Sequence, residues 1–236
     1  MNMNLLVALD FDGTLAALKR DPAAVRLSAA RRALISRLGK KAGARVLIVS
    51  GRPQAFLRRA LAGSGAALAG EHGWLLEGIG SRWRHPRLAL RSRQARALAA
   101  AARAAVRDLP GVRVEAKTAA VAVHWRRAPG VRRDPAGLRR VLAALLPDGW
   151  RLAGGKKIWE FRPADAWGKG EAIALAARRL RARVVFIGDD ETDEEAFRRL
   201  GRGAMTVKVG PGRTLARERV RGLAGVDVML KRLTKA

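Results

Sequence analysis

No cysteine occurs in the 236 residues, which excludes disulfide bridges and thiolate metal sites. Histidine is nearly as scarce, and three residues are too few for an imidazole-rich zinc centre. Tyrosine is absent, aromatics make up 5% of the chain, and no basic stretch is interleaved with stacking rings, so a single-strand nucleic-acid platform is not indicated. No run reaches the ~18 apolar residues of a membrane span. The amino terminus also lacks a basic region ahead of its short apolar stretch, so the expectation is a cytoplasmic protein with neither membrane segment nor secretory signal.

Carboxylates are the last scarcity: 20 Asp and Glu stand against 48 Lys and Arg, a formal net charge of +28 with pI near 11.9. Such a field suits an anionic partner, whether nucleic acid, acidic headgroup or phosphorylated metabolite. The basic residues are mostly Arg, however, and are spread through Ala-rich helices such as Arg91 to Arg107. That is biased composition rather than a nucleic-acid footprint. With 49% hydrophobic residues the length supports one large domain or two small ones.

The chain is organised around Leu5 to Leu15, LLVALDFDGTL. A buried parallel strand reads as a continuous apolar run, and groups just past its carboxyl end face the ligand crevice of an open α/β sheet. Alternation puts Asp10 and Asp12 on one side and turns Phe11 into apolar packing. Two carboxylates converging on one point call for a compensating cation, most simply Mg2+ held by oxygen ligands. The string resembles the first motif of the haloacid dehalogenase superfamily of phosphohydrolases.

Further on, Ser28 is placed to cap a helix through Leu38 after a loop from Asp21, and Arg45 to Val49 reads as a second buried strand. It ends in Ser50-Gly51-Arg52-Pro53, which presents a hydroxyl and free backbone N–H groups to an anion ahead of a helix from Pro53 to Leu61. Ala66 to Ala69 is a third strand leading into Gly70-Glu71-His72-Gly73-Trp74. The pattern then changes to strands at Ser81 to His85, Val112 to Ala116, Ala119 to Trp125, Trp150 to Ala153 and Lys157 to Phe161, with helices at Arg91 to Leu109 and Pro135 to Leu146. This ββαβ-like block reads as an insertion carrying an antiparallel sheet.

The core pattern resumes near Asp165. Gly168-Lys169-Gly170 opens a helix over Glu171 to Leu180, and Arg183 to Ile187 is another buried strand. That strand ends in Gly188-Asp189-Asp190-Glu191-Thr192-Asp193-Glu194-Glu195, the densest acidic cluster of a very basic chain. One or two of these acids would suffice to complement a helix amino terminus, so the excess points to chemistry. Ala204 to Val209 is a last strand and Val226 to Leu233 a closing helix. The fold expected is α/β: a Rossmann-like parallel core of the haloacid dehalogenase type (1–80 and 165–236) with an inserted α/β cap (81–164).

Asp10/Asp12, Ser50, Lys169 and Asp189/Asp190/Asp193 at successive strand and helix ends ask for phosphoryl transfer. Asp10 is the candidate nucleophile and Asp12 the general acid and base. Thr14, Ser50, Gly51 and Arg52 are candidates for holding phosphate, and Lys169 for balancing charge. Mg2+ would be held by Asp10, Asp12 through its main-chain carbonyl, and Asp189, with Asp190 or Asp193 orienting metal-bound water or Lys169.

Over the whole chain the strings DFDGTL, SGRP, GEHGW, VEAKTAAVAVHWR (Val114 to Arg126), GGKKIWEFRP (Gly154 to Pro163), GKG and GDDETDEEAF (Gly188 to Phe197) resemble the trehalose-6-phosphate phosphatase family. The strings of the insertion matter most, since the others are shared across the superfamily. The resemblance implies Mg2+-dependent hydrolysis of trehalose 6-phosphate through an aspartyl-phosphate, by a protein taken as a monomer, with a sugar phosphate as its partner. It also implies sugar contacts from Glu115, Lys117 and Glu160, with His124 and Arg126 at matching positions. From the residues alone, Glu115 and Lys117 could form a solvated ion pair, and Glu160, Lys156 and Lys157 could face water by alternation. Gly168 stands where the family often has Asn, and Trp125 where an aromatic Tyr is usual. The alternatives are another sugar phosphatase of the same cap type, acting on a glycosyl-3-phosphoglycerate or sucrose phosphate, and a basic nucleic-acid-binding protein on a phosphatase scaffold.

Overall fold

The computed structural model describes residues 4–19, 24–155, 157–165 and 167–235. Lys156 and the first part of the expected Asp21–Ser28 loop lie outside the described residues. The chain forms two compact units, Met1–Arg84 with Trp167–Ala236, and His85–Ala166. The larger unit begins with β1 (Asn4–Leu9), α1 (Ala29–Lys40), β2 (Ala44–Val49), α2 (Gln54–Ala60), β3 (Ala67–Gly70), β4 (Leu75–Glu77) and β5 (Trp83–Arg84). The smaller unit follows with α3 (Leu88–Ala105), β6 (Arg113–Ala116), β7 (Val121–His124), α4 (Pro129–Arg133), α5 (Pro135–Ala143), β8 (Trp150–Gly155) and β9 (Ile158–Pro163). The larger unit then resumes with α6 (Lys169–Leu180), β10 (Ala182–Gly188), α7 (Glu191–Leu200), β11 (Ala204–Val209), β12 (Glu218–Val220) and α8 (Gly222–Lys235).

The larger sheet has the order β12-β11-β10-β1-β2-β3-β4-β5, parallel from β12 to β3 and antiparallel at β4 and β5. Beyond their first two residues the central strands β1, β2 and β10 are apolar, because helices cover both faces. Val7 and Leu9 of β1 pack with Ile35 and Leu38 of α1 and with Val226 and Leu230 of α8. The alternate residues, Leu6 and Ala8, pack with Phe186 and with Ala172 and Ile173 of α6. β1 is therefore buried from both sides, and its end is held by neighbours on every flank. Ser28 Oγ accepts the Arg31 amide at 3.3 Å and caps α1, as its position predicts.

In the smaller unit an antiparallel sheet, β6-β7-β9-β8, packs Val121, Val123 and Phe161 against Ala95, Leu98, Ala99 and Ala102 of α3. Asp165 accepts Arg91 Nε and Arg87 Nη1, each at 2.6 Å. Burial opposes its charge, and the two guanidinium groups overcome that and hold its pKa below 3.8.

Several element boundaries depart from expectation. Helix α3 starts at Leu88 and stops at Ala105, four residues before the Leu109-Pro110 step. Helix α5 ends at Ala143 rather than Leu146, since a residue preceding proline, here Pro147, is disfavoured in helical conformation. Helix α4 was not legible. Asp134 separates it from α5 by capping Gly137 N at 2.7 Å. The strand expected within the insertion at Ser81–His85 is Trp83–Arg84, and it belongs instead to the larger sheet. There it pairs with β4, and Trp83 stacks on Trp167 with centroids 4.7 Å apart. β4 and β12 escape detection because three residues are too few to show a period. Strand β9 runs on to Pro163, which lies at the end of its pairing with β8, opposite Trp150. No helix among the described residues is long and apolar enough to cross a membrane.

Candidate active site

The site of the larger unit begins where β1 ends. Asp10 N donates to Ile187 O of β10 at 2.9 Å, so the last ladder bond fixes the Asp10 backbone. Phe11 is fully buried, edge-on to Phe56 at 5.6 Å. Beyond it the chain turns, with Leu15 N and Ala16 N both donating to Phe11 O and Gly13 at φ +88°. A Cβ on Gly13 would lie 2.1 Å from Asp189 Oδ2, so glycine is needed both for the turn and for the approach of that carboxylate.

Lys169, at the start of α6, is the centre of the charge cluster. Its ammonium is buried, 2.7 Å from Asp10 Oδ1, 2.8 Å from Asp193 Oδ1 and 3.7 Å from Asp190 Oδ1. Burial works against that charge, and the three carboxylates overcome it, holding the Lys169 pKa well above 10.5. Asp193 is fully committed. Its Oδ2 accepts the amides of Asp189 and Asp190 at 2.8 and 3.0 Å, while Asp190 Oδ1 accepts Asp193 N at 3.0 Å, a reciprocal cap on α7. Asp190 is thus occupied by the helix end and by Thr192 Oγ1, and Asp193 is the better placed of the two to orient Lys169.

The cluster is short of positive charge. Asp10, Asp189, Asp190 and Asp193 face one Lys169 ammonium. Burial, with repulsion from Asp190 and Asp189, pushes Asp10 up to about 8 against the pull of Lys169. Burial, with Asp193 and Asp190, pushes Asp189 up to about 6. Asp10 Oδ2 is buried and has no hydrogen-bond partner among the described residues. One oxygen each of Asp10, Asp189 and Asp193 lies within 4.8 Å of the others. A hard divalent cation fits the Asp10 and Asp189 carboxylates of this group, Asp193 being committed to Lys169 and the backbone: it would take up the orphaned oxygen and supply the missing charge.

The side chain of Asp12 does not converge with that of Asp10, contrary to the alternation argument. Both of its oxygens are taken by Arg52, Nε to Oδ2 at 2.7 Å and Nη2 to Oδ1 at 2.6 Å. The reason is local: the extended segment ends at Asp10, so i and i+2 no longer share a side. Arg52 lies over the Phe56 ring at 4.5 Å, and its amide donates to Ser50 Oγ at 3.2 Å. Ser50 therefore joins the site through Arg52 and Asp12. The Gly70–Trp74 turn backs this loop. Glu71 and His72 have positive φ, His72 N donates to Ser50 O at 2.9 Å, and a Cβ on Gly51 would meet the His72 ring at 2.6 Å. Thr14 does not stand free for a ligand: its hydroxyl donates to Asp189 Oδ1 at 3.1 Å.

In the smaller unit the register aligns Glu115, Ala122, Glu160 and Ala153 across the four strands on the sheet face opposite α3. Lys117 Nζ lies 2.5 Å from Glu160 Oε1, Arg162 Nε donates to Glu160 Oε2 at 2.6 Å, and His124 Nε2 lies 2.8 Å from Glu115 Oε2. Glu160 is buried rather than facing water, and Glu115 and Lys117, instead of forming the alternative solvated pair with each other, pair with His124 and Glu160. The His124 hydrogen bond is the largest cause that lowers the Glu115 pKa below 4.5. Arg126 follows β7 and is exposed. Arg162 and Lys208 were missed by sequence reasoning, because isolated cations give no signal in a chain this basic.

The central parallel sheet places Asp10 and Asp189 at strand ends and Lys169 at the start of α6, and the fold is shared with a solved haloacid dehalogenase-like hydrolase of Bacteroides thetaiotaomicron, 16% identical with a TM-score of 0.69 over 98% of this chain and 99% of that one. The trehalose-phosphatase family model matches residues 8–217, and the chain belongs to that family. A probable trehalose-phosphate phosphatase of Sinorhizobium fredii is 33% identical over 88% of this chain and 78% of its own. A bifunctional trehalose-6-phosphate synthase/phosphatase of Thermoproteus tenax is 35% identical over 97% of this chain, which spans 32% of that protein's length. The solved C-terminal domain of Candida albicans trehalose-6-phosphate phosphatase is 25% identical, with a TM-score of 0.81 over 99% of this chain and 92% of that one.

Proposed function

We propose that this chain hydrolyses trehalose 6-phosphate to trehalose and phosphate in a Mg2+-dependent reaction, with the larger unit as the phosphoryl-transfer core and the smaller as the substrate-selecting insert. The observation that carries the reading is the buried Lys169 shared by Asp10 and Asp193, beside an Asp10 oxygen that has no partner. Mg2+ would be held by the carboxylates of Asp10 and Asp189 and the main-chain carbonyl of Asp12, and would offset the repulsion between a carboxylate and a phosphate dianion.

Asp10 attacks phosphorus in line and becomes an aspartyl-phosphate, while its backbone and Lys169 keep it in place. Asp12 protonates the departing sugar oxygen and then accepts a proton from the water that cleaves the acyl phosphate. Arg52 holds Asp12 in one orientation through two parallel bonds. Ser50, Gly51 and the main-chain N–H of Thr14 are assigned to the phosphate loop, and Asp193 to keeping Lys169 aimed at Asp10. Glu115, Lys117, His124 and Glu160 are assigned to the sugar, whose hydroxyls suit alternating carboxylate and ammonium partners. Such positioning and charge compensation are what a phosphate monoester demands, since enzymes accelerate its hydrolysis by up to ~10^21-fold.

The test is phosphate release from trehalose 6-phosphate, glucose 6-phosphate, sucrose 6-phosphate and mannosyl-3-phosphoglycerate, with Mg2+ and with EDTA. Preference for trehalose 6-phosphate, lost in EDTA, is expected. Preference for another sugar phosphate overturns the substrate, and no turnover of any overturns the phosphatase reading.

A further inference from the structure

Lys208 is the one charged residue of strand β11. β11 runs AMTVKV, with Val207 and Val209 in the core, and Lys208 pairs with Gly188 immediately before the acidic cluster. The residue is 6% exposed, and burying an ammonium is costly without strong partners. Its Nζ donates to the main-chain carbonyl of Asp189 at 2.6 Å and lies 3.2 Å from Glu194 Oε1 of α7. Glu194 Oε2 in turn accepts Leu215 N at 2.8 Å, which ties the segment before β12 to the same group.

Asp189 is thereby fixed at every polar point but one. Its amide is held by Asp193, its carboxylate Oδ1 by Thr14 and its carbonyl by Lys208, while Oδ2 points toward Gly13. We propose that Lys208, braced by Glu194, is a positioning residue that sets the main-chain orientation of Asp189 and so presents its carboxylate to a divalent cation. The inference rests on the reading that Asp189 holds Mg2+. Groups one step behind a metal ligand orient it, and their loss typically weakens metal affinity by about 10–100-fold.

A merely structural lysine would lower thermal stability and leave Mg2+ affinity of the folded protein unchanged. The experiment is calorimetric titration of the metal-free 236-residue chain with Mg2+, beside the Mg2+-induced rise in Tm, for wild type, Lys208→Met, Lys208→Arg and Glu194→Gln. Lys208→Met is expected to bind Mg2+ about 10–100-fold more weakly, with most of the affinity regained in Lys208→Arg, which keeps a donor for the carbonyl. Glu194→Gln, which leaves the lysine in place and serves if Lys208→Met does not fold, is also expected to bind more weakly. Wild-type Mg2+ affinity in folded Lys208→Met, or in Glu194→Gln where the former does not fold, overturns the proposal. A wild-type chain that binds no Mg2+ overturns the metal reading itself.

Discussion

Replacing Lys169 by Met keeps the length of the side chain and removes the one ammonium that faces four carboxylates. The ammonium is 2.7 Å from Asp10 and 2.8 Å from Asp193, and all three side chains are buried. Deleting one partner of a buried ion cluster costs ~3–5 kcal/mol, because the charges left behind have neither water nor a counterion. In a folded unit of this size that corresponds to a fall in Tm of roughly 6–20 °C. The sign with pH follows. Without Lys169 the Asp10 and Asp193 carboxyls rise further, so the variant recovers stability as protons are supplied, and its deficit against wild type narrows as pH falls from about 8. Mg2+ replaces part of the lost charge and narrows the deficit at fixed pH. Thermal unfolding followed by circular dichroism, with EDTA and with Mg2+, reads all three effects. A variant as stable as wild type in EDTA at pH 8, or a deficit that widens on acidification, would refute the reasoning.

Burial and mutual repulsion raise Asp10 to about 8 and Asp189 to about 6 from 3.8, so the metal-free folded chain retains protons that the unfolded chain has released. Its Tm in EDTA should fall as pH climbs toward 8, with Mg2+ flattening the slope; a metal-free Tm that rises over that range contradicts the assignment. Gly13→Ala places a Cβ 2.1 Å from Asp189 Oδ2 at a φ of +88°, so it should abolish turnover and lower Tm, whereas retention of both would remove the close approach from the account. Glu115→Ala should raise KM for trehalose 6-phosphate far more than for p-nitrophenyl phosphate, and equal losses on both would sink the sugar-binding role of the smaller unit's sheet.

Much of this arrangement is legible in the sequence because buried parallel strands are continuous apolar runs. LLVAL, RVLIV and RVVFI mark three neighbouring strands, and the polar groups following them must lie at one edge of one sheet. The approach of Asp10 and Asp189 follows from that alone, whereas Lys169 opens a helix and reaches them through its own side chain. Partnerships between side chains are less accessible. Asp12 turns to Arg52 because the strand has ended, and the sequence marks that change of direction only by Gly13, three residues after Asp10. Glu160 is enclosed by Arg162, two residues along its own strand, and by Lys117, whose contact depends on the register of β6, β7 and β9 between residues 43 positions apart. Lys208 is hidden by composition: among 48 basic residues, one buried lysine carries no mark.

The central claim is that Asp10 attacks phosphate in a site that requires Mg2+. Its most direct test is phosphate release from trehalose 6-phosphate by wild type and by Asp10→Asn, each with Mg2+ and with EDTA, after circular dichroism has shown both to be folded. The account predicts turnover by wild type with Mg2+ and none by the other three combinations. Turnover by the folded Asn variant, or by wild type at full rate in EDTA, contradicts it.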